Sequence, residues 1–177
     1  MGRSRYKIFN TQSPFFLTMT VVDWLPIFAD CEVAEIVLDS LRYIQKEKHV
    51  TLYAYVLMEN HFHCFIHCDE LGEVIQSFKS YTARAIIDYF IEQKNVFMLK
   101  KLRDNKLSHK KESKYQLWQE GSHPEEIICD EMMHQKIEYI HNNPLRRGYI
   151  EEPWHWRYSS ARIYEGKQGL VSVQTEW

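Results

Sequence analysis

Apolar and β-branched residues gather in short runs along the chain, and these runs predict β-strands. The clearest runs cover residues 15–22, 51–58 and 61–67, and their length and composition are typical of strands. Glu59 and Asn60 separate the second run from the third and supply the turn chemistry of a tight hairpin. A shorter run at residues 126–129 predicts a fourth strand.

Three other stretches place apolar residues at helical spacing, at residues 31–48, 71–93 and 131–142. Asp30 and Asp130 precede the first and the last of these helices, and both predict N-terminal caps. Pro144 should end the last helix, because the residue before a proline is driven out of the α region. The stretch from Lys100 to Lys114 is polar and basic, and its apolar residues follow neither helical nor strand spacing. We expect a mobile loop there, within an irregular basic segment at about residues 98–115.

The predicted elements follow one another as β, α, β, β, α, β, and the helix at residues 131–142 comes after this core order. The order is that of the ferredoxin-like, split βαβ arrangement, an α+β fold whose antiparallel sheet carries its helices on one face. At 177 residues the chain is long enough for one domain with a real core. We therefore expect a single domain over residues 1–177, with an irregular tail from about residue 165.

Composition is that of an ordinary globular protein, with 45% hydrophobic and 26% charged residues. The formal net charge of −2 does not by itself predict a nucleic-acid-binding protein. Seven Lys or Arg nevertheless lie in residues 100–114, with only Asp104 and Glu112 against them, and such a basic stripe can hold phosphates. The four cysteines lack paired CxxC spacing, so we expect them to be reduced and mostly buried. Without a leader or a long apolar run, we expect a cytoplasmic protein with no membrane partner.

His61 and His63 flank Phe62 on the third predicted strand. Alternation along a strand aims both imidazoles at one face and sends Phe62 into the core. The two histidine Cα atoms would lie about 6.5–7 Å apart, close enough for two ring nitrogens to meet on one divalent metal ion. His67 follows on the same face, but about 13 Å from His63, and we leave it out of that site. The alternative is that the imidazoles only solvate a half-exposed strand.

The helix at residues 131–142 offers a second group of polar residues. Its buried stripe should consist of Met133, Ile137 and Ile140. Tyr139 and Asn143 then fall outside that stripe, four residues apart and on a shared flank, with Lys136 three residues before the tyrosine. Alternatives are a rim tyrosine and an Asn-Pro helix terminator. The histidine pair and this flank support each other as one set.

These residues resemble the single-tyrosine HUH transposases, and most closely their REP-associated tyrosine transposase branch. The two histidines with a hydrophobic residue between them are similar to the HUH motif of that family. Residues 139–148, reading YIHNNPLRRG, resemble the branch's segment around the nucleophile, and residues 117–121 and 156–160 resemble its flanking segments. The resemblance covers most of residues 15–165. Glu59 departs from it, since proline is frequent at that position in the branch.

The resemblance implies that Tyr139 attacks DNA and that His61, His63 and Asn143 bind a divalent metal, for which we expect Mg²⁺ or Mn²⁺. It implies cleavage and rejoining of single-stranded, hairpin-forming DNA through a covalent 5′-phosphotyrosine intermediate. An unperturbed phenol has a pKa of about 10, so the nucleophile needs activation, and Lys136 and His141 are auxiliary candidates. The basic residues expected to contact DNA are Lys100, Lys101, Arg103, Arg146 and Arg147. The family contains both dimers and monomers, so a homodimer is one expectation.

Three other functions are open at this point. A domesticated module could bind hairpins without cutting them, and a nickase of replication or plasmid mobilisation could use the same motif. A small metal-dependent hydrolase could instead add a carboxylate from Glu59 or Asp69 to the histidine pair. Substitution of Tyr139 would leave such a hydrolase active, which separates it from the strand-transfer hypothesis.

Overall fold

The computed structural model describes residues 13–177, so the first twelve residues of the predicted domain lie outside the described part. The strands are β1 (Phe15–Thr20), β2 (Thr51–Leu57), β3 (His61–His67) and β4 (Glu125–Glu126). The helices are α1 (Cys31–Glu47), α2 (Leu71–Glu92), α3 (Val96–Asp104), α4 (Asp130–His141), α5 (Asn143–Arg146) and α6 (Ala161–Tyr164). Short 3-10 turns occupy Val22–Trp24, Ile27–Ala29 and Pro153–His155.

The four strands form one antiparallel sheet in the order β2-β3-β1-β4. This order places β3 between the two strands that α1 connects, as the predicted ferredoxin-like fold requires. In the register of β1 with β3, Thr18 lies opposite His63 and Thr20 lies opposite His61. The prediction of an α+β fold with an antiparallel sheet is confirmed.

The sheet separates two packed layers. On one side, which we call the helical face, α1 and α2 cover buried residues of the strands, among them Leu17, Phe62 and Ile66. On the other side, which we call the site face, α4 packs its Met133, Ile137 and Ile140 stripe on the sheet around Phe65. Alternate residues of β3 therefore serve two different layers, and the histidines belong to the site face.

The predicted basic loop is wrong in its first part, because residues 96–104 form helix α3. Asn95 caps this helix by accepting a hydrogen bond from the Met98 backbone N–H at 3.1 Å. Leu102 is fully buried in the core of the helical face, which stabilises the helix despite its basic surface. The irregular basic segment therefore begins at Asn105.

The fourth strand is shorter and begins one residue earlier than predicted, but the chain before it also pairs with β1. The Gln119 backbone N–H donates to the Thr20 carbonyl at 2.8 Å, and the Thr18 N–H donates to the Ser122 carbonyl at 3.0 Å. Gly121, with φ 82°, sits inside this irregular edge. The edge therefore runs past the histidine end of β3 before β4 begins.

Helix α4 differs from the prediction at both ends. Asp130 is its first residue and not its cap, because Cys129 holds the cap position and makes no side-chain cap hydrogen bond. Pro144 does not end the helical structure, because a second helix, α5, begins at Asn143 and has the proline in its first turn. Proline is well tolerated there because the first helical N–H groups have no intrahelical acceptor.

The C-terminal tail has no helix or strand from residue 165 onward, yet it is held to the body of the protein. Arg42 Nη2 donates to the Leu170 carbonyl at 3.1 Å, and the Gln174 N–H donates to the Leu52 carbonyl at 2.8 Å. All four cysteines are free thiols; Cys64 and Cys68 are buried as expected, whereas Cys31 and Cys129 are exposed. Within residues 13–177 the helices are too short or too polar to cross a bilayer.

Candidate active site

His61 and His63 project from β3 on the site face and lie side by side. Their ring centroids are 4.8 Å apart, and each residue is only 4% exposed. Phe62, between them in the chain, is fully buried on the helical face. The prediction that alternation would separate the phenylalanine from the two imidazoles is therefore confirmed.

Neighbouring polar groups orient both rings. His61 Nδ1 lies 2.7 Å from Asn60 Oδ1, an atom that can only accept, so the histidine donates from Nδ1 and keeps the lone pair on Nε2. His63 Nδ1 lies 2.9 Å from the Thr18 hydroxyl. A hydrogen bond at one ring nitrogen orients the ring, and when that nitrogen is the donor the other nitrogen can bind a metal.

The environment keeps both imidazoles neutral. Burial, followed by the charge of Arg147, lowers the pKa of His61, while Glu59 and a hydrogen bond with Asn143 act in the opposite direction. Burial lowers the pKa of His63 to about 3, and His61 and Lys136 contribute in the same direction. A neutral imidazole is the form that binds metals, so the rings are ready for a cation at neutral pH.

Tyr139 lies beside the histidine pair. Its ring packs edge-on against His63 with centroids 5.5 Å apart, and against Phe16 with centroids 5.8 Å apart. The Arg146 guanidinium carbon lies 5.2 Å from the centre of the Tyr139 ring. The phenol is half-buried, so it remains open to a ligand from solvent.

Asn143 joins the same cluster from α5. It is 9% exposed and hydrogen-bonds with His61. The break between α4 and α5 at Asn142 is gentle, with φ −82° and ψ −2°, so Asn143 still follows Tyr139 by about one turn. The structure therefore brings together the residues that the sequence predicted as one set.

A cavity of about 430 Å³ opens over this cluster. It is lined by Thr18, Trp24, His61, His63, Tyr139, Asn143, Arg146 and Arg147. Two arginines lie at the rim of this cavity, and the neutral imidazoles lie at its base. The positive charge of the arginines should attract an anion.

Arg147 is held at this rim by Glu59. Its Nη1 donates to Glu59 Oε1 at 3.2 Å, and the Tyr149 hydroxyl donates to the same oxygen at 3.1 Å. The other oxygen, Glu59 Oε2, is buried without a hydrogen-bond partner among the described residues. Glu59 therefore fastens the segment after α5 to the hairpin that carries the histidines.

The other predicted site residues lie apart from the cavity lining. Lys136 Nζ donates to Glu125 Oε2 at 2.7 Å and lies 4.8 Å from the centre of the Phe16 ring. His141 is the clear correction: its Nε2 lies 2.8 Å from Ser160 Oγ in a separate pocket behind α4, so it does not reach the cluster. Burial also lowers its pKa to about 4.

The three basic residues predicted near position 100 lie on α3. Lys100 and Arg103 both pair with Asp104, and Lys101 Nζ lies 5.9 Å from the centre of the Phe97 ring. They do not line the cavity of the histidine pair. Their role in DNA contact stays a prediction.

Sequence reasoning missed Thr18, Asn60 and Trp24. Thr18 could have been found, because it is a polar residue between apolar neighbours on a strand and so faces the same side as Phe16. Asn60 was assigned only to the turn, although it also orients His61. Trp24 lies in a turn after β1, and no periodicity connects it to the histidines.

The residues present fit a divalent metal ion. Two neutral imidazoles with oriented rings adjoin an amide whose oxygen is a hard ligand. Within residues 13–177, no three His, Cys, Asp or Glu side chains gather at one point. Any third protein ligand beside the histidine pair would therefore be a residue of another type, and Asn143 is adjacent.

The family model of IS200-like transposases matches residues 26–143, which is about two thirds of the chain. The chain belongs to this family. Membership supports a DNA-processing enzyme and is consistent with the resemblance that the motifs gave. No curated protein matches the sequence.

Solved structures give a second comparison for this IS200-like transposase. A REP-associated tyrosine transposase bound to a REP hairpin superposes with a TM-score of 0.69 at 13% identity, over 99% of this chain and 94% of the other. At this identity the likeness shows a shared fold. A putative transposase from Deinococcus radiodurans gives a TM-score of 0.46 at 20% identity, over 80% of this chain and 97% of the other.

Proposed function

We propose that this protein cleaves and rejoins single-stranded, hairpin-forming DNA, with Tyr139 as the nucleophile. The observation that carries the proposal is the packing of the Tyr139 ring against His63, 5.5 Å between centroids, in one cavity with His61, Asn143 and two arginines. The superposed transposase is bound to a hairpin, which supports the same class of substrate here.

The chain's own residues account for the steps around the phosphate. Arg146 and Arg147, at the rim, would bind the non-bridging oxygens and place the phosphorus before the phenol. The Tyr139 oxygen attacks phosphorus in line and loses its proton, and the bond from phosphorus to the 3′ oxygen breaks. The 3′ oxygen takes up a proton and leaves as a hydroxyl, while the 5′ phosphate stays on the tyrosine.

His61, His63 and Asn143 would hold a divalent cation, Mg²⁺ or Mn²⁺, which supplies charge neutralisation at the scissile phosphate when bound. The exchange conserves the number of phosphodiester bonds, so it needs no nucleotide cofactor. An incoming 3′-hydroxyl can reverse it by attacking the phosphotyrosine, which gives rejoining. Because Tyr139 and His63 touch within one chain, the site can form without a second copy, and a homodimer stays a prediction.

The hydrolase alternative loses support from the surroundings of its carboxylates. Glu59 is engaged by Arg147 and Tyr149, and Asp69 lies in another pocket with His67 and Cys68. Neither carboxylate lines the cavity of the histidine pair. A binding module and a nickase share the geometry, and the experiment below separates them from strand transfer.

The test incubates the full chain with a panel of labelled palindromic DNA hairpins and Mn²⁺ and follows a covalent protein–DNA adduct on denaturing gels. We expect the wild type and Tyr81→Phe, which alters an exposed tyrosine of α2, to form the adduct. Tyr139→Phe should form none, although it binds the DNA. Addition of an oligonucleotide with a free 3′-hydroxyl should convert the adduct into rejoined DNA.

Other outcomes have clear meanings. Hairpin binding without an adduct from any wild-type sample would indicate the binding module. An adduct that never resolves into a joined strand would favour the nickase. Equal cleavage by the wild type and Tyr139→Phe would overturn the assignment of the nucleophile. A cytoplasmic location also stays a prediction.

A further inference from the structure

Trp24 lines the cavity over the histidine pair, which we call the catalytic cavity, and its side chain is 53% exposed. Its indole packs edge-on against His61, with ring centroids 5.8 Å apart. A tryptophan in this position exposes a large apolar surface to water. A ligand that covers this surface removes it from water, which lowers the free energy. The residue therefore offers an aromatic surface directly beside the histidine pair.

The backbone that presents Trp24 is strained. Asp23 and Trp24 adopt consecutive left-handed conformations, with φ of 55° and 52°. Residues with a Cβ adopt this region only at a cost in free energy, and such strain concentrates at ligand-binding sites. Asn105 fastens the turn, because its Nδ2 donates to Asp23 Oδ2 at 3.1 Å.

A larger cavity, of about 590 Å³, lies between α2 and residues 110–121. Its charged lining consists of Lys79, Arg84, Lys110 and Lys114 against Asp88 and Glu120. Four cations face two carboxylates, so this basic groove is positive although the whole chain has a net charge of −2. The half-buried Tyr115 ring adds an aromatic surface to the groove.

Lys79 is a half-buried cation of the basic groove. Its Nζ donates to the carbonyls of Gln119 and Gly121 at 2.8 and 2.7 Å. Burial, followed by the charge of Lys110, lowers the pKa of Lys79 to about 8, while Glu120 acts in the opposite direction. An anion bound in the groove would offset the repulsion between these two lysines.

The basic groove and the catalytic cavity are connected along the edge of the sheet. A third cavity, of about 360 Å³, shares Gln116, Gln119 and Glu120 with the groove. The same cavity includes Asp23, the chain neighbour of Trp24. Neighbouring surface therefore leads from the histidine pair, past Trp24, to Arg84, and the charged residues that line the connecting cavity itself are Asp23 and Glu120.

We propose that single-stranded DNA binds along this surface. One base of the strand stacks on Trp24, and the sugar-phosphate backbone of the strand lies in the basic groove. Cations that follow a backbone, combined with aromatic rings for the bases, form the usual architecture of single-strand binding sites. The inference rests on the proposed function for the class of its ligand.

The first test measures the affinity of the full chain for fluorescent DNA by anisotropy, in EDTA so that the DNA stays intact. Two probes are compared: a palindromic hairpin with single-stranded flanks, and the same hairpin without them. Trp24→Ala should weaken binding of the flanked probe about tenfold, which corresponds to about 1.4 kcal/mol of stacking, and leave the trimmed probe unchanged.

Matched variants separate stacking from folding. Trp24→Phe retains an aromatic ring and should recover most of the affinity for the flanked probe. Tyr43→Ala removes an equally exposed ring from α1, where Tyr43 is 56% exposed, and should change neither probe. Equal affinity of the wild type and Trp24→Ala for the flanked probe would overturn the stacking role.

The second test reverses two charges of the basic groove, Arg84→Glu together with Lys114→Glu, both at exposed positions. Binding of the flanked probe should weaken, and the slope of log affinity against log salt should fall by about 2, one unit for each lost phosphate contact. The control pair Lys46→Glu and Lys48→Glu, at the end of α1, carries the same charge change and should leave the slope intact. An unchanged slope in the groove variant, or equal losses for flanked and trimmed probes, would overturn the proposal.

Failure of this inference and failure of the proposed function are distinguishable. If the wild type forms no adduct but the flanks add affinity through Trp24 and the groove, the cleavage proposal fails and the single-strand path stands. If the adduct forms and the flanks add no affinity, the path fails and the cleavage proposal stands.

Discussion

The two faces of the sheet use the same strands for opposite purposes. The helical face buries Leu17, Phe62 and Ile66 under α1 and α2, and its buried strand side chains are almost all apolar. The site face buries His61 and His63 only two residues apart, beside the half-buried Tyr139. Burial of apolar surface stabilises a fold, whereas burial of polar groups does so only where they find partners.

The two faces therefore separate the residues that mainly stabilise the fold from the residues of the proposed site. On the helical face the buried strand side chains contribute mainly through packing, so their substitution should change folding and leave any chemistry alone. On the site face each imidazole has one hydrogen-bonded nitrogen and a cavity above it, so a ligand that binds in the cavity would further stabilise the folded state. Variants on opposite faces should therefore separate stability from activity.

The largest expected effect is on the site face. His63→Ala removes one of the two imidazoles proposed to hold the metal and should slow Mn²⁺-dependent adduct formation about 10³-fold, which corresponds to about 4 kcal/mol of transition-state stabilisation. The melting temperature of the metal-free protein should fall, because the truncation leaves a cavity beside Phe16 and Tyr139 and removes the partner of the Thr18 hydroxyl, so the rate is compared for the folded protein. His67→Ala, on the same strand face but outside the cavity, is the control and should keep its activity. A fully active His63→Ala would contradict the metal assignment.

Leu17→Ala tests the opposite face, one residue from the Thr18 side chain of the site. Leu17 is fully buried in the core of the helical face, so the substitution leaves a cavity and should lower the free energy of unfolding by about 3 kcal/mol. The folded fraction should retain the wild-type rate of adduct formation. Urea unfolding and single-turnover cleavage at low temperature give the two values. A large loss of activity in fully folded Leu17→Ala would show that the two faces are coupled.

The sequence was sufficient for the parts of both faces that depend on alternation. Period-two spacing in β3 assigned Phe62 to the core and the histidines to the opposite side, and helical spacing assigned the buried stripe of α4. Helix α3 was missed because its apolar contacts, centred on Leu102, lie among lysines and arginines that resemble a loop. His141 was misplaced because neighbours along a helix point in different directions, and its own direction leads to Ser160. Contacts made by turns, such as those of Trp24, leave no periodic signal.

A pH titration of the metal-free protein should reveal the buried imidazoles of the site face. Burial lowers the pKa of His141 to about 4, below the value of about 6.5 in an unfolded chain. The unfolded state therefore binds the proton first, so this contribution is complete above pH 6.5 and is lost as the pH falls toward 4. At pH 5 the loss should be about 2 kcal/mol for this residue.

His141→Gln isolates that contribution. Urea unfolding in EDTA at pH 7 and at pH 5 should show a smaller acid loss in this variant than in the wild type, by about 2 kcal/mol. Leu17→Ala, on the helical face, should be destabilised equally at both pH values and serves as the control. An identical pH dependence of the wild type and His141→Gln would contradict the burial of a neutral imidazole at this position.

The smallest expected effect comes from Thr18→Val, which keeps the shape of the side chain and removes the hydroxyl 2.9 Å from His63 Nδ1. The free energy of unfolding should change by less than about 1 kcal/mol, because valine suits a strand as well as threonine does. Mn²⁺ affinity, measured by electron paramagnetic resonance, should fall about tenfold, since the ring of His63 loses the partner that fixes its orientation. Thr20→Val, at the end of the same strand and outside the cavity lining, should leave the affinity unchanged. Equal Mn²⁺ affinities for Thr18→Val and the wild type would show that packing against Phe16, with ring centroids 5.4 Å apart, is enough to orient His63.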